Sequence, residues 1–494
     1  MPTYTSLSKL IRTLHLAMMA LLVTACSLAP TYQRPALPVP ADQSSSVPEL
    51  KPAEYGAQTE LSQEEQALVK DLTPNGELRN WVRLALNYNR DLRLTALRVK
   101  EAQATYHISR TERIPTLGGS VERDHQHFDD AAAQERYGQD IAIASVGVSD
   151  FELDFFGRVL SLSEAARHDY LATRYGQQAA RSALVAEVAR VYLSEQLSAA
   201  LQVDAQRIDE ARQGMLHRVE DQQRLGAASL DDVAVQRVET ERSHQQLADA
   251  VATHARASQA LILLAGYSAP LPQTSTAVEL ASSDVVVPAW LVDMPSQRLL
   301  ERFDVRQSEE SLKAANANIG AARAAFFPSI KLSTGIGVQS DSLRTLFSSG
   351  SGTWLFSPQL NLPLFDGGRN RSNLSLAKVR KQIAVAEYEK TVQLAFREMA
   401  DVLIERQQVL DRLRSATELS RLAQEKARRT LLVFATGDAD RASVLASTVS
   451  IAQVDMAWRE SRQALLLNRL NIYRVLCGAS AAPAQPQPET GTSL

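Results

Sequence analysis

The stretch Trp354–Arg369, WLFSPQLNLPLFDGGR, joins an alternating strand to the start of a very long helix, and it decides the fold. Trp354, Phe356 and Leu360 alternate with polar residues, which places apolar side chains on one face of a strand. After the turn at Gly367 and Gly368, the segment Arg369–Thr436 contains neither glycine nor proline. At about 1.5 Å per residue, it predicts a helix of roughly 100 Å.

The same order of features occurs earlier in the chain, at an offset of 211 to 213 residues. The matching pairs are Asp91 and Asp304, Pro115 and Pro328, Gly157 and Gly368, Gly226 and Gly437, and Gly266 and Gly478. The sequence therefore predicts a unit of about 212 residues that occurs twice. Each unit has a first helix, two strands around a polar loop, a Gly-Arg turn, a long helix, a glycine break and a returning helix.

These patterns predict the following segments. The first helices are Asp91–Arg113 and Asp304–Phe327, each ended by a proline. The strands are Thr116–Asp124, Ile141–Phe155, Ser329–Gln339 and Trp354–Phe365. The long helices are Arg158–Leu225 and Arg369–Thr436, and the returning helices are Asp231–Leu264 and Ala442–Leu476. The strands have the length of membrane strands, and a half-buried soluble sheet is the alternative interpretation.

The long helices carry a narrow apolar stripe of the kind that packs as a coiled coil. Its members are Leu184, Val188 and Val191 in the first helix and Phe396, Met399, Leu403, Leu410 and Leu413 in the second. Such a stripe must pack on the returning helix and on neighbouring chains.

The N-terminus carries an export signal. Leu14–Ala25 is an apolar run of 12 residues, which is too short to span a bilayer but suits a signal peptide. It ends at Val23-Thr24-Ala25-Cys26, which predicts lipidation of Cys26; an ordinary secretion signal is the alternative. Ser27 favours the outer membrane, and Cys477, the only other cysteine, has no disulfide partner.

Composition and motifs argue against several classes of function. A net charge of -3 gives no basic surface for nucleic acid. Nucleophile elbows, phosphate loops and dinucleotide fingerprints are absent from the sequence, so an enzyme is not expected. His125 and His127 fit a solvated loop better than a metal site. The carboxylates Asp150, Glu152 and Asp154 are predicted to share one water-facing strand face.

Four membrane-type strands are too few for one chain to close a barrel, because single-chain barrels begin at about eight. Open strand edges in lipid would leave backbone groups unpaired. The barrel must therefore be shared between chains, and a pore requires three or more of them. The sequence itself does not decide between three and four chains per barrel.

The chain resembles the outer-membrane factor (TolC-like) family of tripartite efflux pumps, in the lipoprotein branch that serves resistance-nodulation-division pumps. The matching segments are CSLAPTYQRP at residues 26–35, DFFGR at 154–158, AANANIGAARAAFFP at 314–328 and LPLFDGGR at 362–369. The resemblance implies an α+β membrane protein: a trimeric 12-stranded outer-membrane β-barrel with four strands per chain. A 12-helix periplasmic α-barrel and a mixed equatorial domain continue it.

The resemblance also implies where the functional ends lie. The loops at about 125–140 and 340–353 would face the cell exterior. The breaks at 225–229 and 436–440 would form the periplasmic tip that contacts the adaptor, through Leu225, Gly226, Ala227, Ser229, Thr436 and Gly437. Ala446 and Ser443 stand where relatives often carry acids that close the pore, so that gate is not transferred to this chain. Our hypothesis is that Asp231, Asp232, Asp438 and Asp440 set the charge of the pore entrance; helix capping is the alternative.

The sequence thus predicts five regions: a signal peptide (1–25), a lipidated strap (26–73, with an extended segment at 30–52), two efflux units (74–271 and 272–478) and a disordered tail (479–494). The predicted protein is a passive outer-membrane efflux duct for drugs or other small toxic compounds. Its expected partners are two further copies of itself, a periplasmic adaptor and an inner-membrane pump, with no metal and no cofactor besides the lipid on Cys26. The alternatives are the outer-membrane component of a type I protein secretion system and a non-conducting periplasmic coiled-coil lipoprotein.

Overall fold

The computed structural model describes residues 29–34, 60–73, 76–266 and 296–477. Residues 1–48 and 49–494 are two separate units, and every element below lies in the second. Cys26, the signal peptide, most of the strap, Gly478 and the tail lie outside the described residues. The first half of the chain contains α1 (Gln63–Leu72), α2 (Glu77–Tyr88), α3 (Arg90–Thr111), β1 (Leu117–Gln126), α4 (Ala131–Tyr137), β2 (Gln139–Leu153), α5 (Arg158–Arg224) and α6 (Leu230–Ala265).

The second half has the same order of main elements. After a 3-10 helix (Ser296–Glu301) come α7 (Phe303–Ala324), β3 (Ser329–Ser340), β4 (Gly352–Asn361), α8 (Arg369–Ala435) and α9 (Arg441–Leu476). The paired helices have equal lengths, 22 residues in α3 and α7, 67 in α5 and α8, and 36 in α6 and α9. The predicted long helices are confirmed to within one residue at each end.

The four strands form one antiparallel sheet in the order β1-β2-β3-β4, so that within the described chain β1 and β4 are its edges. Register places Val146, Ile336 and Trp354 side by side, and they are 52%, 72% and 77% exposed. The predicted apolar face of β3 and β4 is therefore confirmed. The predicted end of the last strand at Phe365 was wrong: β4 stops at Asn361, since Pro363 follows closely and can give no ladder N–H.

A β-bulge near the end of β2 changes which residues share a face. Ser149 and Asp150 lie together opposite Ser333, and Asp150 has φ +55°. The extra residue moves the side-chain alternation by one position. As a result Val148 and Phe151 occupy the same face, although their numbers differ by three. This bulge explains why the alternation along residues 141–155 has two phases.

The stripe predicted on the second long helix was partly wrong. In α8 the large apolar residues buried within the chain are Met399, Val402 and Val409, whereas Phe396 and Leu403 are exposed. The helix therefore has two apolar faces, and only one of them packs on other parts of the described chain. In α5 the prediction is confirmed for Val188 and Val191, which are buried in the main core.

The main core surrounds the middle of α5. The first two helices, α1 and α2, pack Leu72, Leu78 and Trp81 against α5. The sequence patterns do not predict these two helices. The ends of α6 and α9 close the same cluster through Leu261 and Leu470. Helix α1 begins with a capping box between Ser62 and Glu65, and Arg181 of α5 holds the Glu65 carboxylate at 2.8 Å. Residues 63–72 are thus helical and packed, within the region predicted as a strap.

Equivalent polar contacts tie each first helix to the end of its returning helix. Asn89 caps α3 at the Leu92 N–H and donates its side-chain amide to the Leu264 carbonyl at 3.2 Å. Arg302, at the same place before α7, donates to the Val475 carbonyl at 3.3 Å. Both bonds connect the start of one helix to the last turn of another. They therefore oppose sliding of the two helices along their axes.

Candidate functional site

The first hairpin tip is a tight glycine turn between two capped helices. Gly226 has φ +77°, a conformation that favours glycine, and its N–H donates to the Gln223 carbonyl at 3.0 Å. The Ala227 N–H donates to the Gln222 carbonyl at 2.7 Å, which completes a Schellman motif. Ser229 then starts α6 with a capping box shared with Asp232. These bonds satisfy the helix ends and keep the turn short.

The second tip repeats this geometry with different side chains. Gly437 has φ +85° and donates to the Phe434 carbonyl, and the Asp438 N–H donates to the Val433 carbonyl, both at 3.1 Å. Asp440 caps α9 by accepting from the Ser443 N–H at 2.8 Å. The Thr436 hydroxyl donates to the Asp438 carboxylate at 3.1 Å. Both tips therefore have the geometry of closed, fully hydrogen-bonded turns.

Two of the four predicted entrance acids are helix caps. Hydrogen bonds from Ser229 hold the pKa of Asp232 below its usual value, and hydrogen bonds from Ser443 do the same for the pKa of Asp440. Asp231 and Asp438 are exposed beside them. All four acids therefore lie at the tips as predicted, two with a capping role, and their effect on ions remains a prediction.

The two hairpins meet along α5 and α9, which the sequence reading did not anticipate. Gly214 of α5 leaves room for Leu445, because a Cβ at Gly214 would lie 3.3 Å from the leucine side chain. Ile208 and Ala211 pack on Val449 and Ala452 in the same seam. Ser443, where relatives often carry an acid, is occupied in capping, and Ala446 is exposed. Nothing in the sequence pattern of α5 alone identifies its partner as α9.

Large apolar side chains are exposed at both tips. Leu225 is 85% exposed and Leu230 is 74% exposed, one on either side of the first turn. Leu431 and Leu432 are more than half exposed just before the second turn. Contiguous exposed apolar patches are typical of surfaces that contact another protein, and these leucines are the candidates at the two tips.

The carboxylates at the end of β2 do not form one cluster, and that prediction was wrong. Asp150 lies in the bulge, 3.8 Å from the Lys331 ammonium. Glu152 binds the Arg158 guanidinium through two bonds of 2.8 and 2.5 Å. Asp154 accepts from the Leu160 N–H at 2.7 Å and so caps the start of α5. Glu152 and Asp154 thus join the end of the sheet to the long helix, whereas Asp150 pairs within the sheet.

Metal ligation finds no support in the described ranges, where no group of three or more His, Cys, Asp or Glu residues could hold an ion. His125 lies in β1, with its Nδ1 atom 3.7 Å from the Asp140 carboxylate, which Arg123 also binds. Among the same residues, no helix combines the length and apolarity needed to cross a bilayer.

Comparison with known proteins identifies the class. A sequence model of the family "Outer membrane efflux protein" matches residues 81–267 and 294–478. The "Cation efflux system protein CusC" of Escherichia coli O6:H1 is 36% identical over 463 residues, covering 93% of this chain and 97% of that protein. The "Toluene efflux pump outer membrane protein TtgC" of Pseudomonas putida is 33% identical over 468 residues, covering 94% and 95%.

A solved structure agrees with these relatives. The crystal structure of the open state of the Neisseria gonorrhoeae MtrE outer membrane channel superposes with a TM-score of 0.72 at 29% identity, covering 92% of this chain and 98% of that one. The chain therefore belongs to the outer membrane efflux protein family. It is the outer-membrane channel component of a tripartite efflux pump, a transport protein of the outer membrane that extends into the periplasm.

Proposed function

We propose that three copies of this chain form one duct, in which the four-stranded sheets make a 12-stranded barrel and the long helices make a 12-helix tunnel. The observation that carries the proposal is the open sheet: within the described residues, β1 pairs only with β2, and β4 only with β3. A lipid-facing sheet cannot leave two edges unpaired. Pairing β1 of one copy with β4 of the next removes both edges in every copy.

Further exposed apolar side chains of α8 support the same assembly. Leu376, Ile383 and Leu419 are about half exposed along this helix. A neighbouring copy would cover these side chains, and burial of apolar surface stabilises such a contact by about 25 cal/mol per Å². The equal helix lengths in the two halves support a duplicated unit, so that each copy contributes two similar hairpins to the ring.

The tips are proposed as the adaptor contact. Leu225, Gly226, Ala227 and Ser229 lie on one turn, and Thr436 and Gly437 on the other, beside the exposed leucines described above. In this arrangement an inner-membrane pump supplies the energy, the adaptor opens the tips, and the substrate leaves through the duct. Lipidation of Cys26 anchors each copy to the membrane.

The substrate class can be tested directly. We propose small toxic compounds or cations, because the relatives named above serve cation and toluene efflux. We expect deletion of the gene to increase susceptibility to toxic metal cations or to organic toxicants such as toluene at least about fourfold, with rescue by the intact gene. Unchanged susceptibility together with a lost secreted protein would instead support a type I secretion role.

A pore-entrance role predicts altered ion selectivity. We expect Asp438→Asn to lower the preference of the channel for cations in planar bilayers, because the substitution removes one negative charge per copy from the entrance. Asp440→Asn is less informative, because it also removes the favourable interaction of the Asp440 charge with the N-terminus of α9. The matched control is Asp411→Asn, which removes an exposed charge in the middle of α8. If Asp438→Asn and the control had the same selectivity, Asp438 would have no role in ion selection, and its hydrogen bond with Thr436 would be its remaining function.

A further inference from the structure

A buried polar contact joins the two helices of the first hairpin, 17 residues before Gly226. The Ser243 hydroxyl of α6 lies 2.8 Å from Asp209 Oδ1 of α5 and also 2.8 Å from the Thr240 carbonyl. Gln213, one turn along α5, donates to Asp209 Oδ2 at 2.6 Å. Asp209 is 3% exposed and Ser243 is 4% exposed. The carboxylate is thus held by bonds from both helices.

The second hairpin has a similar contact, although its acid, Asp455, is only partly buried. Ser420 of α8, 17 residues before Gly437, donates to Asp455 Oδ1 of α9 at 3.0 Å. Gln424, one turn along α8, donates to the Ser420 hydroxyl at 3.2 Å. The long helix therefore supplies the acid in one hairpin and the serine in the other. A hydrogen bond across the helices is present in both hairpins: Ser420 matches Asp209 at an offset of 211 residues, whereas Asp455 lies one residue beyond the match of Ser243.

Burying a carboxylate in a coiled-coil seam costs free energy unless the carboxylate is hydrogen-bonded. Asp209 therefore favours the register of the two helices in which it has its partner. A carboxylate without a partner in the seam would lose its hydration, and only one placement of the returning helix brings the serine within reach. Sliding α6 by one turn would separate Ser243 from Asp209 by about 5 Å. Buried polar pairs are known to fix register in packed helices at a cost in stability.

We propose that the pairs Asp209–Ser243 and Ser420–Asp455 are register locks, which hold each returning helix in place along its long helix and so position the two tips. Between the first lock and its tip, Val235 and Val238 of α6 are more than half exposed, whereas Ala211 of α5 packs on α9 in the seam described above. Each lock lies between the tip of its hairpin and the part around the core. They are positioning residues, and neither pair has to touch the transported compound.

The first test is hydrogen exchange of the purified, full-length oligomer in detergent. We expect Ser243→Ala to accelerate amide exchange roughly tenfold in the part of the first hairpin between residues 210 and 242. Alanine favours helix more than serine does, so helix propensity alone would slow exchange. The matched control is Ser415→Ala, the same substitution at an exposed site of α8.

Exchanging the two residues of the first hairpin gives the sharper test, since the second hairpin takes its serine from the long helix and its acid from the returning helix. Asp209→Ser and Ser243→Asp should each accelerate exchange, the first by losing the charge-assisted bond and the second by opposing two carboxylates. The double variant Asp209→Ser/Ser243→Asp should restore exchange to within about threefold of the wild type. If the first-hairpin variants do not assemble, Ser420→Ala and the double variant Ser420→Asp/Asp455→Ser provide the same cycle.

Two results would overturn the locks: exchange in Ser243→Ala and Ser420→Ala equal to that in Ser415→Ala, or an exchanged pair that behaves no better than its single variants. The inference that the locks position the tips for closure rests on the proposed duct, whereas hydrogen exchange reports on the hairpins whether or not the protein conducts. Failure of the duct would appear separately, as absence of conductance in a wild type whose locks are intact.

Discussion

Replacing Gly147 by alanine is expected to prevent most of the protein from reaching its folded, oligomeric form. A Cβ at this position would lie 2.1 Å from the Thr334 carbonyl oxygen and 2.5 Å from the Cα of Gly335. Both atoms belong to the main chain of β3, which the ladder with β2 and β4 holds in place. Overpacking against atoms that cannot move costs about 3 kcal/mol or more.

The measurement is the fraction of heat-modifiable oligomer extracted from the outer membrane, which should fall at least about tenfold in Gly147→Ala. Gly118 provides the matched control, since it faces Gly147 across β1 and β2 and a Cβ there would have no atom within 4 Å. Gly118→Ala is expected to assemble like the wild type. Equal assembly of the two variants would mean that the sheet tolerates a side chain where β2 and β3 approach.

Replacing Arg302 by alanine is expected to give the largest loss of stability in the helical part. This guanidinium is 8% exposed and binds Asp304 at 3.0 and 2.7 Å, Glu398 of α8 at 3.0 Å and the Val475 carbonyl at 3.3 Å. One side chain therefore connects α7, α8 and the end of α9. Asp304 and Glu398 are partly exposed and would regain water, so the expected cost is about 2–3 kcal/mol, below that of a fully buried pair.

Denaturant or thermal unfolding, followed by the helical circular dichroism signal, would measure this loss. Arg302→Lys keeps the charge but not the fork that binds two carboxylates, and should fall between alanine and the wild type. Arg323→Ala, at an exposed site of α7, is the matched control and should change the midpoint little. If Arg302→Ala and Arg323→Ala unfolded at the same midpoint, the contact between the three helices would contribute nothing measurable.

The sequence was most informative where a local rule decides the conformation. Gly226 and Gly437 end the long helices because each takes a left-handed conformation, and the absence of glycine and proline from Arg369–Thr436 lets α8 run for 67 residues. The alternation in β3 and β4 likewise gave the apolar face, since side chains on a strand point to opposite sides in turn. Such signals need no knowledge of distant parts of the chain.

The sequence by itself thus determined the order of the strands and main helices, the ends of the two long helices and the resemblance to an efflux channel. Only the tertiary structure decided which face of α8 is buried within the chain, how the bulge at Asp150 shifts the phase of β2, and that α1 and α2 belong to the core. It also decided that Asp209 faces Ser243 and that Arg302 reaches Val475. The physical reason is the sequence distance over which each interaction acts. Helix ends and strand faces depend on residues close in the sequence, whereas burial and pairing depend on which distant segment packs against each residue.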